Sequence, residues 1–172
     1  LDRPELYERY RKEAAEVFYE NYWKEHGLSR HPLAQYLPGR LYIGNQFCPH
    51  LLPDWEKLKE LFDKAKREHL KITLVFSYLR EERIADTRKL LDQIAAWCDR
   101  AQTRIEIVAG DWGMLSLICE RGTWFEPVFG VLLNKRRKDP RVRYNIGGSG
   151  VNEPPAENAL NSSFYRAYLR KT

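Results

Sequence analysis

Four short apolar runs, at 41–44, 72–77, 104–110 and 128–133, recur along this chain with helix-spaced segments between them, and that alternation constrains the fold most. Between the first two runs, Pro53 and Asp54 give a helix start, and Trp55, Leu58, Leu61, Phe62 and Ala65 form a stripe at spacings of three and four. After the second run, residues 81–100 read as a helix with Ile84, Leu91, Ile94, Ala95 and Cys98 buried. A short helix over 112–120 follows the third run. The second run, Ile72, Leu74, Val75 and Phe76, lacks polar alternation, which suits a strand covered on both faces, as in parallel sheets.

Repeated strand–helix units imply an α/β fold with a parallel sheet and right-handed crossovers. No nucleotide-binding glycine signature interrupts them. The spacing therefore favours parallel β/α units forming about half of a TIM-like barrel over a dinucleotide-binding fold. A half barrel leaves two open sheet edges, so association through those edges, or with a missing carboxy-terminal half, is expected.

Ahead of these units, residues 4–26 place Leu6, Tyr10, Ala14, Val17, Phe18 and Tyr22 on one face of an amphipathic helix that Gly27 ends. The aromatic residues of that helix either dock it on the barrel or form a partner surface. The organisation read from sequence is an amino-terminal helix and connector (1–39), a half-barrel (40–145), a Gly/Ser link (146–150) and a carboxy-terminal helical segment (151–172). Gly147-Gly148-Ser149-Gly150 reads as an engineered link in place of a natural loop, with a natural Gly-rich loop as the alternative. A start at Leu1 rather than Met fits an edited chain.

With 43% hydrophobic residues in 172, the chain has enough apolar surface for one sizeable core. Its 29 Lys and Arg against 24 Asp and Glu give a net charge of +5, a mild bias that permits anionic ligands without requiring them. Three cysteines, an odd count without dense spacing, argue against a secreted disulfide framework and for the cytoplasm. No apolar stretch approaches the ~20 residues of a membrane span, and no basic leader opens the chain, so a soluble protein is expected.

In a barrel, the groups just after each strand converge on one rim, here Asn45, Cys48, Ser77, Tyr78, Asp111, Trp112, Asn134 and Lys135. Asp111 is the leading carboxylate for catalysis, but it is equally placed to cap the helix that starts at Trp112. His50 stands near Cys48 as a proton donor or supporting partner for a thiolate, or as a surface loop histidine. None of the four histidines has metal-ligand spacing. Six basic residues fall within the nine positions 135–143. With Asn134, the residues Lys135, Arg136 and Arg137 are candidate substrate contacts that would steer RNA, an acidic peptide or a phosphorylated substrate, unless the loop is simply solvated.

Tyr42-Ile43-Gly44 with Cys48 shortly after, Asp111-Trp112-Gly113-Met114-Leu115 before a Leu-rich helix, and Phe129-Gly130 followed by Leu133-Asn134 resemble the first half of peptidase family U32. That family includes collagenase-like peptidases and oxygen-independent hydroxylases of ubiquinone and RNA. The resemblance covers about residues 41–134 and departs at Ala109-Gly110, where the family commonly has an Asn before the Asp. It implies that Cys48 is one ligand of a 4Fe–4S cluster in a full-length parent, whose other cysteines lie in the second half. This chain alone is then inactive, because a cluster is usually held by four thiolates and Cys98 and Cys119 sit in apolar helical stripes. Whether the parent hydrolyses or hydroxylates stays open. The alternative is a non-catalytic module that binds a peptide or RNA through its basic rim loop.

Overall fold

The computed structural model describes residues 1–134 and 162–170. They belong to two units, Leu1–Val128 and Phe129–Thr172. The first begins with helices α1 (Pro4–Lys12) and α2 (Ala15–Glu25), continues through β1 (Arg40–Gly44), α3 (Trp55–Arg67), β2 (Lys71–Val75), α4 (Ile84–Ala101), β3 (Ile105–Ala109) and α5 (Trp112–Cys119), and reaches β4 (Phe125–Phe129). In the second unit a helix, α6, spans Ser163–Leu169 and is capped by the Ser162 hydroxyl, which accepts the Tyr165 N–H.

The strands form one sheet in the order β1-β2-β3-β4. Parallel registers pair Leu41 with Ile72, Ile43 with Leu74, and Leu74 with Ile107. These residues alternate with polar or half-exposed neighbours, so Leu41, Ile43, Ile72, Leu74, Ile105, Ile107 and Ala109 share one face and are buried. Leu58, Leu61, Phe62 and Ala65 of α3, Leu91, Ile94, Trp97 and Cys98 of α4, and Met114, Leu117 and Ile118 of α5 complete the core. At ~25 cal/mol per Å² of apolar surface, burial of these side chains is the main stabilising term. Trp97 joins the stripe expected for α4, whose Ile84 and Ala95 are only half-buried. It packs on Phe62 at 5.1 Å between ring centroids and donates its indole N–H to Asp63 at 2.8 Å.

The opposite sheet face is covered differently from the expectation of two packed faces for β2. Thr73 there is only 1% exposed, yet its cover is a polar bridge across three strands. Its hydroxyl donates to Glu106 of β3 at 2.8 Å and accepts from Arg40 of β1 at 2.8 Å, while Arg40 and Glu106 also form an ion pair. Burial pushes the Glu106 carboxyl up, but the Thr73 and Arg40 hydrogen bonds outweigh it and hold the group below its usual range. Further along this face Tyr42 is exposed and Val75 and Val108 are half-buried.

Two boundaries differ from the sequence reading. The single amphipathic helix is broken at Glu13 and Ala14, which are extended, because Glu68 at the end of α3 ties down both pieces. Its carboxylate accepts the Tyr10 hydroxyl at 2.6 Å, the Ala15 N–H at 3.1 Å and the Lys64 ammonium at 2.6 Å. Burial raises the pKa of Glu68, and these three donors more than reverse that. Tyr10 ties α1 to the end of α3, and the buried Tyr7 donates its hydroxyl to the Leu51 carbonyl at 2.7 Å, whereas α2 buries no residue. The fourth strand starts three residues earlier than its apolar run. Ile105 donates to the Trp124 carbonyl at 3.1 Å, and the chain after Phe129 turns, with Leu133 and Asn134 N–H both donating to the Gly130 carbonyl.

Candidate functional site

The carboxy-terminal ends of β1, β2 and β3 hold a polar cluster that links the loops after them. After β1, Gly44 has φ +110°, and a Cβ there would collide with the Val75 carbonyl. The chain then turns on Asn45, whose Oδ1 accepts the N–H groups of Phe47 at 2.9 Å and Cys48 at 3.0 Å. Gly110 ends β3 against the backbone of the loop after β2, where an added Cβ would lie 3.0 Å from the Ser77 carbonyl carbon and the Tyr78 nitrogen.

Asp111 joins the two loops. Its Oδ1 accepts the Met114 N–H at 2.8 Å and so caps α5, while its Oδ2 accepts the N–H of Leu79 in the loop after β2. Both oxygens are committed to backbone donors. Asp111 thus fills the capping role that the sequence offered beside the catalytic one and adds a link to the loop after β2, while each oxygen keeps a second lone pair.

Between the loops lies a cavity of about 80 Å³ whose polar lining is Asn45, Ser77, Tyr78, Arg80, Arg83, Asp86 and Thr87, with Leu52, Phe76, Leu90 and Met114 among its apolar residues. It is too small for a whole ligand of ordinary pocket size, roughly 300–1,000 Å³, but large enough for a terminal polar group. Arg80 pairs with Glu82 at 2.9 Å and Arg83 with Asp86 at 3.6 Å, all four side chains being exposed. Exposed pairs of this kind are weak, ~0–1 kcal/mol, so either guanidinium can exchange its partner for an anionic ligand. Sequence reasoning singled out neither arginine, because each reads as an ordinary charge on a helical approach.

Of the other rim candidates, Cys48 is half-buried at the end of the Asn45 turn. His50 is exposed in a short helical turn, Pro49–Leu51, and no hydrogen bond joins it to Cys48, so the activated pair is not formed in the described structure. Tyr78 and Trp112 are each 45% exposed. Asn134, in the second unit, has its Oδ1 buried without a partner among the described residues. Lys135, Arg136, Arg137 and the proposed link at 146–150 lie outside the described residues.

The cysteines do not fit a cluster within this chain. Cys98 is buried, and burial pushes its thiol up to about 12, away from the thiolate that iron requires. Cys119 is exposed, contrary to its expected place in an apolar stripe, because α5 turns Met114, Leu117 and Ile118 inward instead. Among the described residues, no three His, Cys, Asp or Glu side chains gather in a metal-binding group. Nor is any described helix long and apolar enough to cross a membrane.

No family model, curated protein or solved structure matches the chain.

Proposed function

We propose that this chain is one half of a U32-like (β/α) barrel enzyme, contributing the substrate-contacting rim rather than a complete catalytic centre. The strand order supports the barrel. Each strand adds on the same side of the one before, without the reversal that marks a doubly wound sheet. The helix-covered apolar face and the half-open face of Tyr42, Val75 and Val108 correspond to the outer wall and lumen of such a barrel.

The observation that carries the site is the double engagement of Asp111 with Leu79 and Met114, which fixes the loop bearing Ser77, Tyr78 and Arg80 over the cavity. In this reading the cavity takes a carboxylate or phosphate-like end of the substrate. Cys48 supplies one thiolate to a 4Fe–4S cluster whose other ligands lie outside this chain. No chemical step is assigned through that cluster.

Titration of the isotope-labelled chain with inorganic phosphate and with a blocked dipeptide carrying a free carboxylate tests the site. Saturable shifts centred on the amides of Asn45 and residues 77–83, weakened by Arg83→Gln, are expected. Shifts confined to other surfaces, or none at all, would remove the rim from consideration.

A further inference from the structure

Among the described residues, the charged lining of the rim cavity carries one net positive charge, from Arg80 and Arg83 against Asp86. Glu82, 2.9 Å from the Arg80 guanidinium, offsets part of it. A carboxylate matches a single positive charge. A phosphate monoester, at about −1.5 to −2 near neutral pH, brings more negative charge than these side chains balance.

The uncharged polar lining offers donors. Ser77 is only 6% exposed, and the one contact of its hydroxyl, the Tyr78 carbonyl at 3.4 Å, exceeds the ~2.5–3.0 Å of an O–H···O hydrogen bond. A buried hydroxyl in that state favours any ligand oxygen that completes its bond. Asn45 spends its Oδ1 on the Phe47 and Cys48 N–H groups, which fixes the amide orientation and leaves its N–H₂ donors without a partner among the described residues. Thr87, near the start of α4, adds a second hydroxyl. Leu52, Phe76, Leu90 and Met114 contribute apolar walls. Such walls cover a hydrocarbon stem, whereas a phosphate set against them loses water without replacement.

Resting on the reading of this rim as substrate-contacting, we propose that the cavity selects a carboxylate carried on a short apolar stem. The carboxylate oxygens accept from Ser77, Thr87 and the Asn45 amide and draw one arginine from its exposed partner, while the stem lies against Phe76, Leu90 and Met114. The volume of about 80 Å³ keeps that stem short. Asp86 sets the selectivity: paired with Arg83 at 3.6 Å, it cancels one of the two guanidinium charges and so holds the site to monoanions.

The intact, isotope-labelled chain is titrated with butyrate, butyramide and methyl phosphate, and amide shifts at Ser77, Tyr78 and residues 83–87 are followed. Butyrate is expected to saturate these shifts, and butyramide, of the same shape but without charge, to bind about tenfold or more weakly. Methyl phosphate should also bind less tightly than butyrate, and Asp86→Asn, which adds one net positive charge, should narrow that gap by about fourfold. Butyrate and butyramide binding alike, or methyl phosphate binding as tightly as butyrate, would overturn the carboxylate assignment while leaving a ligand site on the rim. An unchanged gap in Asp86→Asn would overturn the role of Asp86. No saturable shift from any of the three would remove the rim site and the proposal together. N-acetylalanine separates the sources of the carboxylate: tighter binding than butyrate supports the end of a peptide, and weaker binding supports a small acid.

Discussion

Asp111 and Leu79 stand 32 positions apart, and the carboxylate of the first holds the backbone N–H of the second while capping α5 through Met114. One side chain thus fixes the ends of β2 and β3 relative to each other. The shape of the rim cavity depends on that link.

Asp111→Ala leaves two backbone donors without their acceptor. Loss of a helix cap costs ~1 kcal/mol and an unpaired, half-buried N–H another ~1–3, so a loss of about 2–4 kcal/mol is expected in urea unfolding. Asp111→Asn keeps an oxygen for Met114 but turns an N–H₂ group toward one donor, and should fall between. A wild-type midpoint for the alanine variant would show that the link contributes nothing.

Gly44→Ala should be more severe than any other single methyl addition on the rim. The position combines φ +110° with contact against the Val75 carbonyl, so both backbone strain and a clash oppose the change. Destabilisation of more than about 3 kcal/mol, read from thermal and urea unfolding, is expected.

The three thiols should react in the order of their exposure. A thiol reagent is expected to modify Cys119 first, Cys48 more slowly, and Cys98 only on unfolding, since that thiol is both buried and held protonated to about pH 12. Rapid modification of Cys98 in the folded chain would contradict the packing of α4.

Stability should fall at both ends of the pH scale for identifiable reasons. Burial and the charge of Asp2 raise the Tyr7 hydroxyl from 10.0 to about 12. The folded pKa lies above the unfolded one, so this contribution is complete below pH 10 and is lost as pH rises from there to about 12. Glu106 runs the other way. Its folded pKa lies below 4.5, so its contribution is complete above that pH and disappears as pH falls through the lowered value. Tyr7→Phe should flatten the alkaline limb of a stability–pH curve, and Glu106→Gln the acid limb; unchanged limbs would assign the losses to other groups.

Much of the helical architecture was legible because burial follows local periodicity. Leu58, Leu61, Phe62 and Ala65 repeat at helical spacing, Asp54 precedes them as a cap, and α3 is built on those residues. Trp97 escaped the same reasoning. It lies three residues after Ile94 on the buried face of α4, where it packs on Phe62 and gives its indole proton to Asp63, and no pattern within α4 records those partners. Cys119 went astray in the opposite direction, since an eight-residue helix that is apolar all round does not reveal which side faces the core.

Spacing along the chain was enough to read the alternation of strands and helices and the parallel sheet that follows from it, because both depend on local periodicity. Tertiary structure decided what individual residues do. It aimed a backbone donor at each Asp111 oxygen, divided the first helix at the point where Glu68 holds it, and brought Arg40, Thr73 and Glu106 into one bridge from three strands. Hydrogen bonds between distant positions have no period, so they can be read only after the chain has folded.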